Sequence, residues 1–400
     1  MSQFDTIIKQ IEDNKVEIVH FNFIDPTGVL RSKSVLSREI LRTLHISLED
    51  GISVNGNLLP GYRDENKWFR VVPELDTFCV LPAGPGIVCR EAAMLCSISN
   101  TAFDSRKILQ DLMARAKTMG LFPMSGMGFA YGMEDTSAAE GNGIYQLLPG
   151  SRISNFNAQL IQGLLSAGID VESFMAYGPA HNGIEMVPQG VDKSADQIAM
   201  CGWIARSLGL QHGRQVNASY PFENACPVHM SVWSEAHDRN LFFNPDGKME
   251  YSDLAWQFVA GILANFDEIF AVIQATSGRA PTEPVKKAFS NTDTQCVLGT
   301  PEFFVEQNKK ARVGWSKRCV FRGIPAEANL HLALAAVYLS GLDGITNSRK
   351  PEDYSEQEYD AASSNVAQKR RKLGESQLFR DFFGDNVMAI LDDWLKKQEG

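Results

Sequence analysis

The chain has 400 residues, 44% of them hydrophobic and 22% charged, with a net charge of -10 and an isoelectric point near 5.3. That length buries a large core and is expected to divide into two domains. The acidic balance argues against nucleic acid or an anionic membrane as a partner, because both reward basic surfaces.

In chain order, a short amphipathic helix is predicted over Asp5 to Asn14 and a strand over Glu17 to Ile24. Asp25-Pro26-Thr27-Gly28 then supplies turn chemistry before a second strand. The opening MSQFDTIIKQIEDNK lacks the apolar block of a secretory signal, and no apolar run approaches the roughly 18 residues that span a bilayer. A cytoplasmic location is therefore expected. The first hundred residues read as a small mixed β domain, 1–102. From Ser105 the texture changes to amphipathic helices (Arg106 to Met119, Asn155 to Ala167, Ala195 to Leu208, Ser252 to Ile273, Asn329 to Leu339) alternating with short apolar strands. This is the pattern of an α+β domain, 103–400. Late in the chain, Lys369-Arg370-Arg371-Lys372 reads as a solvated helix face.

Neither GxGxxG nor GxxxxGK[ST] occurs in a strand-turn-helix context. Seven cysteines without a CxxC pair fit reduced buried thiols better than a disulfide framework. Cys226 and His229 form a CxxH, but three residues apart on a strand they point to opposite faces, which weakens a zinc or Cys/His nucleophile reading.

Seven segments, in order, resemble the glutamine synthetase family. Phe21 to Lys33 (FNFIDPTGVLRSK) is similar to its first hairpin, and Trp68 to Pro82 (WFRVVPELDTFCVLP) to its "DM.L.PD..T...LP" signature. Glu172 to His181 (ESFMAYGPAH) resembles "E.GPGQ.E", Leu210 to Gly213 the "RHG" turn, and Val228 to Ser231 the "MHVH" strand. Gly314 to Pro325 (GWSKRCVFRGIP) resembles "W...NRSA.IRIP", and Asn329 to Asn347 resembles "NPYLALAALLAAGLDGI.N". The resemblance implies an N-terminal β-grasp domain followed by a catalytic domain with a curved antiparallel sheet and helices. It also implies a homo-oligomeric ring of ten or twelve subunits.

Glutamine synthetases activate a glutamate carboxylate with ATP before ammonia attacks the acyl phosphate, and the triphosphate needs divalent metals held by carboxylates. The positions that match the family's metal-binding glutamates carry Gly128, Ala130, Ala176 and Gly183, and a fifth, in "IE.R.PD", has no counterpart. The family's aspartate near the ammonium is Asn55, its second histidine Ser231, and the lysine of "MPKP" is Pro221. His229, Arg318 and Arg322 survive, with Lys287 at a family arginine and Tyr177 beside the altered strand.

Three readings follow. In the first, a repurposed cavity binds or transforms a small anionic, amino acid-like ligand without ATP. His181, Glu185 and His229 are its acid-base group or its ligands to one transition metal, and Arg318, Arg322, Lys287, Asn55 and Tyr177 hold the substrate. Polar residues lining a relic cavity are the bland version of the same pattern. In the second, the chain is a non-catalytic scaffold or regulatory subunit. In the third, it remains an ATP-dependent carboxylate–amine ligase, with Mg-ATP as cofactor and an altered site. Glu134 shares a strand face with 128, 130 and 132 but lies some 20 Å from Gly128 at about 3.3 Å per residue, so it reads as structural.

Overall fold

The computed structural model describes residues 2–43, 46–62, 68–82, 89–99, 101, 103–133, 152–177, 181–218, 225–278, 286–301, 313–350 and 365–399. Glu134, Gly178, Pro179 and Pro221 lie outside them.

Helix α1 (Gln3–Asp13) starts at a reciprocal cap in which the Ser2 hydroxyl accepts from the Asp5 amide and the Asp5 carboxylate accepts from the Ser2 amide. Strands β1 (Val16–Ile24) and β2 (Leu30–Leu36) form a hairpin. Asp25 builds its turn as the sequence implies: the fully buried carboxylate accepts the Thr27 and Val29 amides and pairs with Arg31 at 2.7 Å, while Gly28 adopts φ 86°. After the short α2 (Ser37–Arg42) and α3 (Ile46–Glu49) come β3 (Ile52–Asn55), β4 (Trp68–Pro73), β5 (Cys79–Val80) and β6 (Arg90–Ser99). The resulting sheet has the order β2-β1-β6-β4-β3, with β5 also on β6 and with β1 and β6 parallel.

The remaining chain runs α4 (Ser105–Thr118), β7 (Leu121–Met133), α5 (Arg152–Ser166), β8 (Val171–Ala176), β9 (His181–Met186), β10 (Gln189–Gly190), α6 (Val191–Gln211), β11 (Val216–Ala218) and β12 (Ala225–Ser234). It continues through α7 (Asp253–Ala264), α8 (Phe266–Ser277), β13 (Lys286–Ser290), β14 (Cys296–Gly299), α9 (Val313–Ser316), β15 (Cys319–Pro325), α10 (Leu330–Thr346), α11 (Val366–Glu375) and α12 (Gln377–Lys396). The single helix expected over Ser252 to Ile273 is two helices, broken at Asn265, whose side chain donates to the Gly261 carbonyl as it ends α7.

The chain packs into two compact units that interleave along the sequence. The first comprises Met1–Asp104, Gly128–Val187 and Asp196–Pro221; the second comprises Ser105–Met127, Pro188–Ala195 and Phe222–Gly400. The six-stranded sheet is complete by Ser99, and the next helix begins at Ser105.

In the first unit, the core joins Cys79, Ala93 and Leu95 of the six-stranded sheet to Phe129, Tyr131 and Met133 of β7. It also takes in Ile184 and Met186 of β9, Phe156, Leu160 and Leu164 of α5, and Met200 and Ile204 of α6. β7 has odd residues in this core and β9 even ones, so the period of two assigns Gly128, Ala130, Gly132, His181, Gly183 and Glu185 to the other face.

In the second unit, strands run in the order β13-β14-β15-β12-β7, with β10 also on β7. Helices α7 and α10 meet backbone to backbone at Gly261 and Gly344, where an added Cβ on Gly261 would fall 2.1 Å from the Ser340 carbonyl oxygen. Phe270 of α8 packs on Phe321 of β15, which marks the helix-covered side of that sheet. No single described helix is long and apolar enough to cross a membrane, and α7 and α8 pass that test only as a pair bent by 62°. Both are lined with buried residues, as core helices are.

The basic run departs from its expected role. Arg371 is exposed, but Lys369 is fully buried and donates to the Gln274 side chain at 3.0 Å, and Arg370 bridges Asp392 and Glu399. A helix of this spacing turns every fourth residue inward, so the run is one buried cation and a partly solvated remainder.

Candidate functional site

Each unit presents a sheet face of its own. In the first unit, β7 pairs antiparallel with β9, and the register sets Gly128 opposite Glu185, Ala130 opposite Gly183, and Gly132 opposite His181. Glu185 is exposed and accepts the Ser173 hydroxyl at 2.8 Å from β8. Among the described residues it is the carboxylate on this face.

The small residues here do not leave a void. A Cβ on Gly183 would lie 2.3 Å from Cε2 of Tyr177, so the phenol ring already occupies the volume that a side chain at 183 would need. The Tyr177 amide donates to the His181 carbonyl at 2.8 Å, which closes the hairpin and lays the ring across the sheet. Ala176 is buried and stands opposite Asn182, on the side of Ile184 rather than the face of Gly183. Because side chains alternate, positions 176 and 183 do not converge on one point.

His181 and Glu185 do share a face, but four residues of strand separate them by about 13 Å. One transition-metal ion therefore cannot take both, which corrects that expectation. Among the described residues no group of three or more His, Cys, Asp or Glu side chains is placed to hold a metal ion. Magnesium with ATP needs several hard oxygen ligands; among the described residues of this face Gly128, Ala130 and Gly183 supply none and Glu185 supplies one carboxylate, which does not fit it.

In the second unit, β12 alternates Cys226, Val228, Met230 and Val232 into the helix-covered core, all buried, with Pro227, His229 and Ser231 on the opposite face. Cys226 and His229 are thus on opposite faces, as their spacing requires. His229 stands opposite Gly126 on one side and Val320 on the other, and Val320 is in turn opposite Gly299. Arg322 lies one step along the same face, beside Pro227, and donates to the Cys296 carbonyl at 3.4 Å. Its guanidinium uses the missing side chain of Gly299, where a Cβ would come 2.7 Å from Nη1 and 2.5 Å from the Ser290 carbonyl oxygen.

Nδ1 of His229 is shielded from solvent and has no hydrogen-bond partner among the described residues. Burial, reinforced by the positive charges of Arg318 and Arg322, pushes the imidazole down to about 3, so at neutral pH it is uncharged. Arg318 is anchored through its backbone, its carbonyl accepting the Tyr251 hydroxyl at 2.7 Å. The face thus combines two permanent cations with a neutral imidazole, an arrangement suited to a carboxylate or other small anion.

Other expected site residues are placed elsewhere. The Asn55 side chain caps a turn by accepting the Asn57 amide at 3.0 Å. The Lys287 ammonium lies 5.8 Å from the ring of Phe266 at the start of α8, a residue of the helix-covered core. His229 belongs to the second unit, whereas His181 and Glu185 belong to the first.

The family model "Glutamine synthetase, catalytic domain" matches residues 102–391, and the chain belongs to that family. A glutamine synthetase of Thermotoga maritima is 26% identical over 87% of this chain and 81% of its own length, and one of Halobacterium salinarum is 24% identical over 87% and 79%. Among solved structures, "Apo GmaS without ligand" superposes with a TM-score of 0.79 at 18% identity, covering 98% of this chain and 94% of its own. A "novel glutamine synthase homolog" gives 0.78 at 17% identity, covering 96% and 94%.

Tyr177 acting as a filler for Gly183 was not legible as such in the sequence. The signal available was a glycine six residues after an aromatic in a hairpin, which says nothing about where the ring goes.

Proposed function

We propose that this chain binds a small carboxylate-bearing, amino acid-like ligand on its glutamine synthetase scaffold, with Arg318, Arg322 and neutral His229 holding the anion. The observation that carries this reading is the uncharged, shielded imidazole of His229, whose protonation the nearby charges of Arg318 and Arg322 depress, on the side of β12 away from the helix-covered core. An uncharged His229 accepts or donates one hydrogen bond without adding charge, while the arginines supply the attraction.

Two versions of the reaction share that site. Carboxylate–amine ligation driven by ATP is supported by the relatives, which carry the name glutamine synthetase, and by a similar GmaS structure described as an ADP complex. Ligand use without Mg-ATP is supported by Gly128, Ala130 and Gly183 at the matching metal positions and by the ring of Tyr177 over Gly183. The kinship favours the ligase version, which is therefore the one to test first. A scaffold or regulatory subunit is the outcome if neither holds. We further propose a cytoplasmic, homo-oligomeric ring; light scattering of the purified protein gives its mass in solution, and a monomer would discard the ring.

The deciding experiment incubates purified protein with Mg-ATP, glutamate and either ammonia or methylamine and follows phosphate release. Phosphate formed only when both acid and amine are present establishes the ligase. No release above background, with calorimetric binding of glutamate that Arg322→Ala abolishes, establishes the ATP-independent version. Neither release nor binding discards both.

A further inference from the structure

The second unit contains a cavity of about 960 Å³ that the reading above does not use. Its walls include Tyr251, Trp256 and Phe289, and these rings contact one another: Trp256 and Phe289 at 5.0 Å between centroids, Tyr251 and Trp256 at 5.4 Å, and Tyr251 and Phe289 at 5.9 Å. All three contacts are edge-on, and the Lys317 ammonium lies 4.2 Å from the Tyr251 ring, so the aromatic cluster already accommodates a cation.

The charges at the rim are mostly positive. Among the described residues, Lys248, Arg349 and Lys350 line the cavity with the carboxylate of Asp253. Arg349 is engaged by Asp343 at 3.0 Å. Lys248 has its ammonium 5.8 Å from the Trp256 ring, and among the described residues neither it nor Lys350 has an acidic partner. The indole nitrogen of Trp256 is shielded and has no acceptor among the described residues.

Backbone conformation singles out the same place. Among the described residues, Met249 and Glu250 (φ 57° and 58°) and Ser348 (φ 48°) are three of the five non-glycine residues with positive φ, and Met249 and Ser348 line the cavity. Left-handed conformations in such residues are costly and gather where a site must be held in shape.

We infer that this cavity is a binding site for a small aromatic carboxylate, its ring against Trp256 and Phe289 and its carboxylate between Lys248 and Lys350. The ring contributes apolar burial and stacking, and the two ammonium groups at the rim select an anion over a neutral ring. An aliphatic carboxylate lacks the first contribution and neutral indole the second.

The test is calorimetry on the full chain with indole-3-acetate as probe and acetate and indole as comparators. Saturable binding of indole-3-acetate is expected, with both comparators at least about tenfold weaker. Lys248→Glu and Lys350→Glu change exposed side chains, and each is expected to weaken the probe about tenfold at an unchanged melting temperature. Absence of saturable binding overturns the site. So does binding that both charge reversals leave intact, or that Arg322→Ala removes while Lys248→Glu does not, since that pattern moves the probe to the strand face.

Discussion

The two sheet faces differ in what fills them. In the first unit the face is built from glycine and alanine, with the ring of Tyr177 laid over Gly183 and one exposed carboxylate at Glu185. In the second it is built around a shielded imidazole with Arg318 and Arg322 close enough to depress its protonation. The difference teaches that loss of a side chain is not loss of volume. On the first face a neighbouring ring occupies the space beside a glycine, whereas on the second the Arg322 guanidinium occupies the space beside Gly299.

The strongest way to break this contrast is acid. His229 is neutral in the folded chain with its protonation pushed down to about 3, against an ordinary value near 6.5. The unfolded chain binds the extra proton first, so this contribution to stability is complete above about pH 6.5 and lost as pH falls toward 3. Denaturant titrations are expected to show His229→Gln losing about 1.4 kcal/mol less per pH unit across that window than the wild type. Equal slopes would mean that the imidazole is not held neutral.

Next in size is Arg322→Ala. Removing one guanidinium from a site that holds an anion is expected to weaken calorimetric binding of glutamate about a hundredfold, or about 2.7 kcal/mol. An unchanged affinity would sever the anion from this face.

Gly183→Glu sharpens the first face. The added Cβ meets Cε2 of Tyr177 at 2.3 Å, so chemical denaturation is expected to register a loss of about 1–3 kcal/mol. Most of that loss is expected to return when Tyr177→Ala is combined with it, because the ring is the obstacle; a double variant no more stable than the single one would refute the filling role.

Smallest is Glu185→Gln. An exposed carboxylate whose recorded contact is the Ser173 hydroxyl is expected to change stability by less than about 0.5 kcal/mol in the same titration. A larger loss would assign Glu185 a structural part in the hairpin.

Much of this was open to inspection in the residues alone. The Asp25 turn, the strand that follows Glu17, the amphipathic helices and the opposite facing of Cys226 and His229 all follow from local chemistry and from periods of 3.6 and 2.0 residues. So does the kinship, carried by seven motifs in order along the chain. Short-range rules suffice for these because the partners are near in sequence or repeat at a fixed interval.

Other features needed the folded chain. The 62° bend between α7 and α8 is seen only in the folded chain, and the buried Lys369 meets Gln274, 95 residues away in sequence. The Trp256 cavity gathers residues from 248 to 350 that no spacing relates. The sequence by itself determined the family, the order of the elements and the absence of carboxylates at 128, 130, 176 and 183. Only the tertiary structure decided that Tyr177 fills the place beside Gly183, that Ala176 is buried, and that His229 is held uncharged by burial and by the charges of Arg318 and Arg322. Occupied volume and local dielectric are set by neighbours distant along the chain, and no pattern of residue types along a strand encodes them.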